Sequence, residues 1–442
     1  MSTTAVEAMS LAPPALLPAR AGLAAGRSRR FLHLAMLSCL CLQRFGLDLN
    51  GSVLFVSLPA FLLLVGWMLA TGQATLGTRP LLGFALFACW TVFSLELALL
   101  APDPRTAISL ASWADVLVTY FVWSVRPTKT FDTRATLEVF LLYARLCAVA
   151  GIAQFALQFA GIRWFQFTQM LPPLSPLLVE THYAFNATLA YGSPILRSNG
   201  FFLLEPSMFS QLLAIAVCVE FFVKRRFRFL PVYGLAYAVS FSGTGLLSLA
   251  LALLLYGLTS ARRLARVAAL LAIGVVMAVV AALAMPQVFA AFAARATEFQ
   301  RTGSSAHARY FGQLDVLRPF IQEARVLFGY GPGATERSLS FNLGSASPAL
   351  KLVIDYGLVG LVAFSVLATA MVRRATPILA MLCLVMFQLG GGYLLFSPFV
   401  VLMTLLCAWS DRDDETNEEG GGCHETLDAK SDRSEGDFLP AV

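Results

Sequence analysis

Charge is what this sequence has least of. Asp, Glu, Lys and Arg make up 13% of its 442 residues, where a soluble globular domain carries about 25%. Hydrophobic residues reach 58% and mean hydropathy is +0.72, so a water-soluble enzyme is excluded. The four histidines are scattered and none of the eight cysteines forms a C-x-x-C pair, which leaves no metal framework or dithiol motif. None of the Gly-rich nucleotide signatures occurs. The apolar runs do not alternate residue by residue, excluding a β-barrel. Basic and aromatic residues interleave only in the short "RFRF" (226–229), so a nucleic-acid stacking surface is not expected. The first thirty residues have no apolar region of signal-peptide type ahead of their charges; residues 1–30 are expected to be a disordered cytoplasmic leader.

What the chain does have is long apolar windows, several reaching the ~20 residues that cross a bilayer as a helix. The fold class expected is an all-α polytopic membrane protein. Its charge is unevenly placed. Residues 411–442 hold eleven acidic and three basic side chains, a net of −8, while the rest of the chain carries +14. The acidic stretch reads as a solvated, disordered cytoplasmic tail. The positive excess reads as an orientation signal: "RSRR" (27–30), "RPTKTFDTR" (126–134), "KRRFR" (224–228), "ARRLAR" (261–266) and "RR" (373–374) are expected in the cytoplasm.

Spans placed between those clusters fall near 31–45, 51–70, 80–101, 107–125, 136–160 and 206–223, then two shorter helices within 229–260. Further spans fall near 267–285, 349–372, 376–390 and 392–409. Every pair of basic loops encloses an even number of crossings. The result is a transmembrane domain over 31–410 with about twelve helices and both termini inside.

Two long segments, 161–205 and 286–348, then fall on the outer face. Loops of that length are uncommon unless functional or disordered, and these are rich in aromatics, Gln, Arg and Pro. Within the second, residues 294–320 have the apolar spacing of one or two amphipathic helices on a membrane surface. No inverted repeat of the transporter kind is evident.

The stretch "RSNGFFLLEPS" (197–207) closes the first long segment. Pro206 suits the first helical position, and Glu205 beside it complements the helix dipole. One reading makes Glu205 a helix-start residue with Arg197 as counter-ion. The other places both at the outer rim, binding an anionic, hydroxylated substrate.

That stretch, followed by an apolar span and a basic loop, resembles the arginine–glycine–acidic–proline motif of Wzy-type polysaccharide polymerases. "SFSGTGLLSLALALLLY" (240–256) is similar to the family's serine-rich broken helix, and "SSAHARYFGQLDVL" (304–317) to its outer-loop arginine segment. "LFGYGPGATE" (327–336) is similar to its glycine-rich turn, and "SASPALKLVIDYGLVGLVAF" (345–364) to the closing helix. The related O-antigen ligases tend to have asparagine in place of Glu205 and a histidine where this chain has "SASP", so the resemblance favours the polymerase side.

The resemblance implies a metal-independent fold of the GT-C type with two large periplasmic loops, set in the bacterial inner membrane and needing no cofactor. It implies transfer of a growing glycan from undecaprenyl diphosphate to a sugar hydroxyl of the next lipid-linked oligosaccharide. A flippase and a chain-length regulator are the implied partners. The leaving diphosphate needs cations where charge develops, and arginine binds phosphate bidentately. Arg197 and Arg309 are the first candidates, Arg301 and Arg318 the next, against the alternative that outer-loop arginines merely snorkel to headgroups. The attacking hydroxyl needs a base, for which Glu205 stands first and His307 second. Asp355 lies within an apolar span, where an ionisable residue invites a functional reading; a salt bridge to Lys351, four residues earlier, competes with it. "GYGPG" (329–333) is either a phosphate-binding nest or a plain turn. An O-antigen ligase acting on lipid A–core, and a flippase for the same lipid-linked sugars, are the rival functions.

Overall fold

The computed structural model describes residues 17–49, 52–101, 103, 106, 108–165, 167–179, 188–189, 193–284, 312–337 and 346–410. Helix α1 (Leu17–Met36) passes through a π-helical turn into a hairpin of β1 (Gly46–Leu49) and β2 (Ser52–Phe55), paired antiparallel with Gly46 opposite Phe55. Next come α2 (Ser57–Ala70), β3 (Ala74–Leu76), α3 (Thr78–Leu100), α4 (Leu110–Phe121) and β4 (Val125–Pro127), which pairs antiparallel with β3. Helices α5 (Arg134–Leu157), α6 (Pro206–Cys218), α7 (Leu230–Ser240), α8 (Thr244–Gly257) and α9 (Ala261–Ala284) follow. The chain closes with α10 (Gly312–Ile321), α11 (Pro348–Val372), α12 (Pro377–Leu389) and α13 (Ser397–Ala408).

The protein is therefore mainly helical, and the two small ribbons qualify the all-α expectation. Four helical stretches are long and apolar enough to cross a membrane: Thr78–Leu100, Arg134–Ala160, Pro206–Val223 and Pro348–Val372. Five more, α2, α7, α8, α12 and α13, are apolar but shorter. Large apolar side chains such as Leu63, Leu100, Val275 and Leu283 face outward, the arrangement a bilayer requires and water penalises. Helix α13 is buried along its whole length, as expected of a helix apolar on every face. Around it the core is aromatic. Tyr120 meets Trp123 at 4.7 Å and Phe364 at 4.8 Å, both edge-on, and its hydroxyl donates to the Leu394 carbonyl at 2.8 Å.

Basic clusters converge on one end of the bundle. Arg29 pairs with Asp132 at 3.6 Å, and the Asp132 N–H donates to Ser28. Arg226 grips Glu138 through both nitrogens, at 2.6 and 3.0 Å. Arg126 donates to the carbonyls of Ala370 and Met371 at the end of α11, where the helix dipole favours a cation. Burial, with Arg374 adding to it, pushes the Arg126 guanidinium down to about 10, so it stays charged at neutral pH. Two turns further along α5 from Glu138, Arg145 pairs at 2.6 Å with the fully buried Glu220 and lies over the Phe229 ring.

The opposite end gathers the long segments. Val179 donates to the Arg44 carbonyl at 3.0 Å, Ser198 to Val239 at 3.0 Å, and Ser109 to Pro332 at 2.8 Å.

One expectation is corrected here. Residues 1–30 were expected to be disordered, yet the chain is helical from Leu17. Leu, Ala and Arg are strong helix formers, and Gln73 holds the segment by donating to the Ala24 carbonyl at 2.8 Å.

Candidate functional site

The Arg197–Glu205 stretch is fixed by two glutamines four residues apart, Gln154 in the last turn of α5 and Gln158 just beyond its end. Gln158 brackets Leu196, accepting from its N–H at 2.9 Å and donating to its carbonyl at 3.1 Å. Gln154, almost fully buried, accepts from Ser198 Oγ at 3.0 Å, Asn199 N at 3.2 Å and Phe201 N at 3.3 Å. Its amide donates to Asn199 Oδ1 at 3.0 Å and to the Trp164 carbonyl at 2.8 Å. The half-buried Arg197 sits between these clamps, and its side chain is engaged rather than free. Gly200 makes the tight turn possible. Its φ is +72°, and a Cβ there would fall 2.6 Å from the Phe209 ring.

Replacing Gln154 with leucine is expected to orphan the backbone N–H groups of Asn199 and Phe201, each costing about 1–3 kcal/mol if it stays buried, while the Ser198 hydroxyl keeps the Gly151 carbonyl at 2.9 Å. Hydrogen exchange at residues 198–201 reads the result. Unchanged protection would show that the loop holds itself.

Glu205 is the N-cap residue of α6, with extended backbone (φ −135°, ψ 152°), and Pro206 takes the first helical position. Its carboxylate does not cap the helix: no α6 amide donates to it, and it accepts instead from Ser207 Oγ at 2.8 Å. The Phe209 N–H bonds to the Glu205 carbonyl at 3.1 Å, the first regular bond of the helix. The helix-start reading of the acidic side chain thus rests on the helix dipole and not on a side-chain cap.

The serine-rich break joins the same end. Helices α7 and α8 are separate elements, and the turn between them packs on α6. Ser210 donates to Ser242 at 3.1 Å and accepts from the Gly245 N–H at 3.1 Å. Ser242 and Gly245 of this break are buried against α6, while Gly243 between them is exposed. Below Glu205, Leu203, Met208, Gln211 and Leu212 line a crevice with Gln43 and Tyr393 at its wall, and Tyr393 bonds Gln211. Its volume of about 20 Å³ admits a single water and no lipid chain.

Sequence reasoning missed Arg44. It is wholly buried, donates to the carbonyls of Phe165 at 2.6 Å and Leu203 at 3.3 Å, and lies 4.2 Å from the Phe167 ring centroid. It ties the start of the long 161–205 segment to the residues before Glu205. The signal was legible: Arg44 falls inside the span drawn at 31–45, and a charge inside a span asks for a reason.

Of the other candidates, Arg301, His307 and Arg309 lie outside the described residues. Arg318 is exposed on α10, whose packing face is Gln313, which accepts from the Ser347 N–H, and Phe320, buried against Tyr330. The structure does not bring Arg318 together with Arg197 or Glu205.

Asp355 belongs to a second assembly. The loop at 327–337 inserts against α11, which is broken at Gly357. Asp355 accepts from Thr335 N at 2.9 Å, from the Thr335 hydroxyl and from Gly333 N at 3.3 Å, while its own carbonyl accepts from Gly331 N at 2.9 Å. The expected partner of Asp355 is only marginally right. Lys351 approaches it at 4.0 Å but pairs at 2.6 Å with Glu336, across the loop rather than along the helix. The "GYGPG" turn cannot cradle a phosphate in this conformation, because its N–H donors are spent on Asp355 and on the carbonyls of Arg325 and Ile354. A carboxylate so occupied makes a poor general base.

No family model, curated protein or solved structure matches the chain.

Proposed function

We propose that this protein is an inner-membrane glycosyltransferase. It polymerises undecaprenyl-diphosphate-linked oligosaccharide units into an exopolysaccharide or O-antigen at the periplasmic face. In this reading the bundle crosses the membrane about twelve times and both termini are cytoplasmic.

The observation that carries the proposal is an arrangement. The Arg197–Glu205 stretch, the serine turn at 240–245 and the loop at 327–337 all sit at the end opposite four of the basic clusters. These are stretches that resemble the family's motifs in their order along the chain. Arg197 is assigned to the diphosphate, whose departure needs a fixed cation, and Glu205 to the acceptor hydroxyl as base. Arg301, Arg309 and His307 complete the set from the second long segment, and Arg318 meets the anionic head from the solvent side. No metal or cofactor enters this chemistry.

Analysis of the lipid-linked glycans in cells lacking the gene tests the proposal. Single repeat units on the outer leaflet are expected. Accumulation of long lipid-linked polymer would identify a ligase instead, and units trapped on the inner leaflet a flippase.

A further inference from the structure

At the basic end of the bundle is a pocket of about 500 Å³, walled by Thr128, Lys129 and Phe131 on one side and Arg373, Arg374 and Ser410 on the other. Lys129, Arg373 and Arg374 are exposed, and no carboxylate among the described residues pairs with any of them. The nearest acidic side chain in sequence, Asp132, is turned to Arg29 at 3.6 Å. Arg126, close by, turns one guanidinium nitrogen to the carbonyls of Ala370 and Met371 near the end of α11. The pocket therefore concentrates three uncompensated cations beside the hydroxyl of Thr128, itself bonded to Thr130.

Ser410 is at once a wall of the pocket and the last described residue. The next residue is Asp411, and residues 411–442 carry a net charge of −8. The run "DRDDE" (411–415) brings four carboxylates within five residues of the rim. An extended chain covers about 3.3–3.6 Å per residue, so this run reaches across the pocket without strain. Tethering at the rim gives an effective concentration of order millimolar, and arginine forks bind carboxylates in paired hydrogen bonds.

We propose that the basic pocket at Lys129, Arg373 and Arg374 is the docking site of the chain's own acidic segment 411–442.

The test uses the full chain in lipid nanodiscs. Carbodiimide, which couples a lysine to a carboxylate only in direct contact, is expected to link Lys129 to a residue of 411–442 at about 50 mM salt. The link should fall by roughly tenfold at about 0.5 M salt, where screening shortens to ~3–4 Å, and by a similar factor in the double variant Arg373→Ala, Arg374→Ala. Hydrogen exchange at 127–133 should be slower in the full chain than in a chain ending at Ser410. Equal exchange in the two chains would overturn the proposal, as would coupling that is absent or unchanged by the double substitution. A link formed in phosphatidylcholine discs but lost in phosphatidylglycerol discs would overturn it as well, naming anionic headgroups as the occupant.

Discussion

Glu205→Gln is expected to abolish polymer while the protein still accumulates in the membrane. The substitution keeps side-chain volume and Pro206, and removes only charge and basicity. The carboxylate accepts from Ser207 and from no α6 amide, so the helix loses no cap. Its loss of dipole complementarity costs about 0.3–1 kcal/mol. Loss of a general base costs about 10²–10⁴-fold in rate, so the two roles predict different outcomes by a wide margin. Arg197→Ala is expected to act at the other end of the reaction, losing on the order of 10²–10³-fold from unstabilised charge on the leaving diphosphate. Chain length on gels, read beside protein level, decides. Normal polymer in both variants would leave Glu205 as a helix-start residue and Arg197 as part of a structural clamp.

The second large effect is structural. Asp355→Leu is expected to destabilise the protein severely, because it orphans the N–H groups of Gly333 and Thr335 and the Thr335 hydroxyl, each at about 1–3 kcal/mol when buried. Lys351 keeps Glu336 at 2.6 Å, so the loss is one of hydrogen bonds more than of charge pairing. Asp355→Asn retains an acceptor oxygen and should recover part of the stability. Thermal unfolding in detergent measures both. An Asp355→Leu variant that melts with the wild type would show that the loop does not depend on this carboxylate.

How much of this was legible follows from particular stretches. The spans drawn at 206–223 and 349–372 match Pro206–Val223 and Pro348–Val372 because both carry their own punctuation, a proline at the start and a basic pair at the end. Helix α1 was cut short because "RSRR" was read as a solvated stop, although the residues before it favour helix as strongly as those after. The two ribbons escaped notice because strands of three or four residues are too short to show alternation. For the site, Glu205 and Arg197 were visible as charges in an apolar context. Their fixing was not, since Gln154 and Gln158 lie within another span and carry no signal beyond their polarity. The ion pair of Asp355 with Lys351 was legible and stands at 4.0 Å, but the closer approach of Glu336 to Lys351, at 2.6 Å, was not, for a related reason. Spacing along a helix shows an i,i+4 neighbour, and Glu336 reaches it through a loop that spacing cannot place.

The break in α11 bears on how this protein is made. At Gly357 the backbone turns to φ +74°, and a Cβ there would stand 2.2 Å from the Leu327 carbonyl. The carbonyls freed at Asp355 and Tyr356 are taken by Gly331, by Ser94 and by the Trp90 indole at 2.7 Å. Two of those three donors belong to α3 and one to the loop before α11. Alone in the insertion channel, α11 would carry unpaired carbonyls into hydrocarbon, each at a cost of several kcal/mol. The broken stretch of α11 is therefore satisfied only when it is packed against α3 and the loop at 327–337. The bend at Gly357 is thus a joint product of α3, the loop and α11, and α11 does not complete it alone.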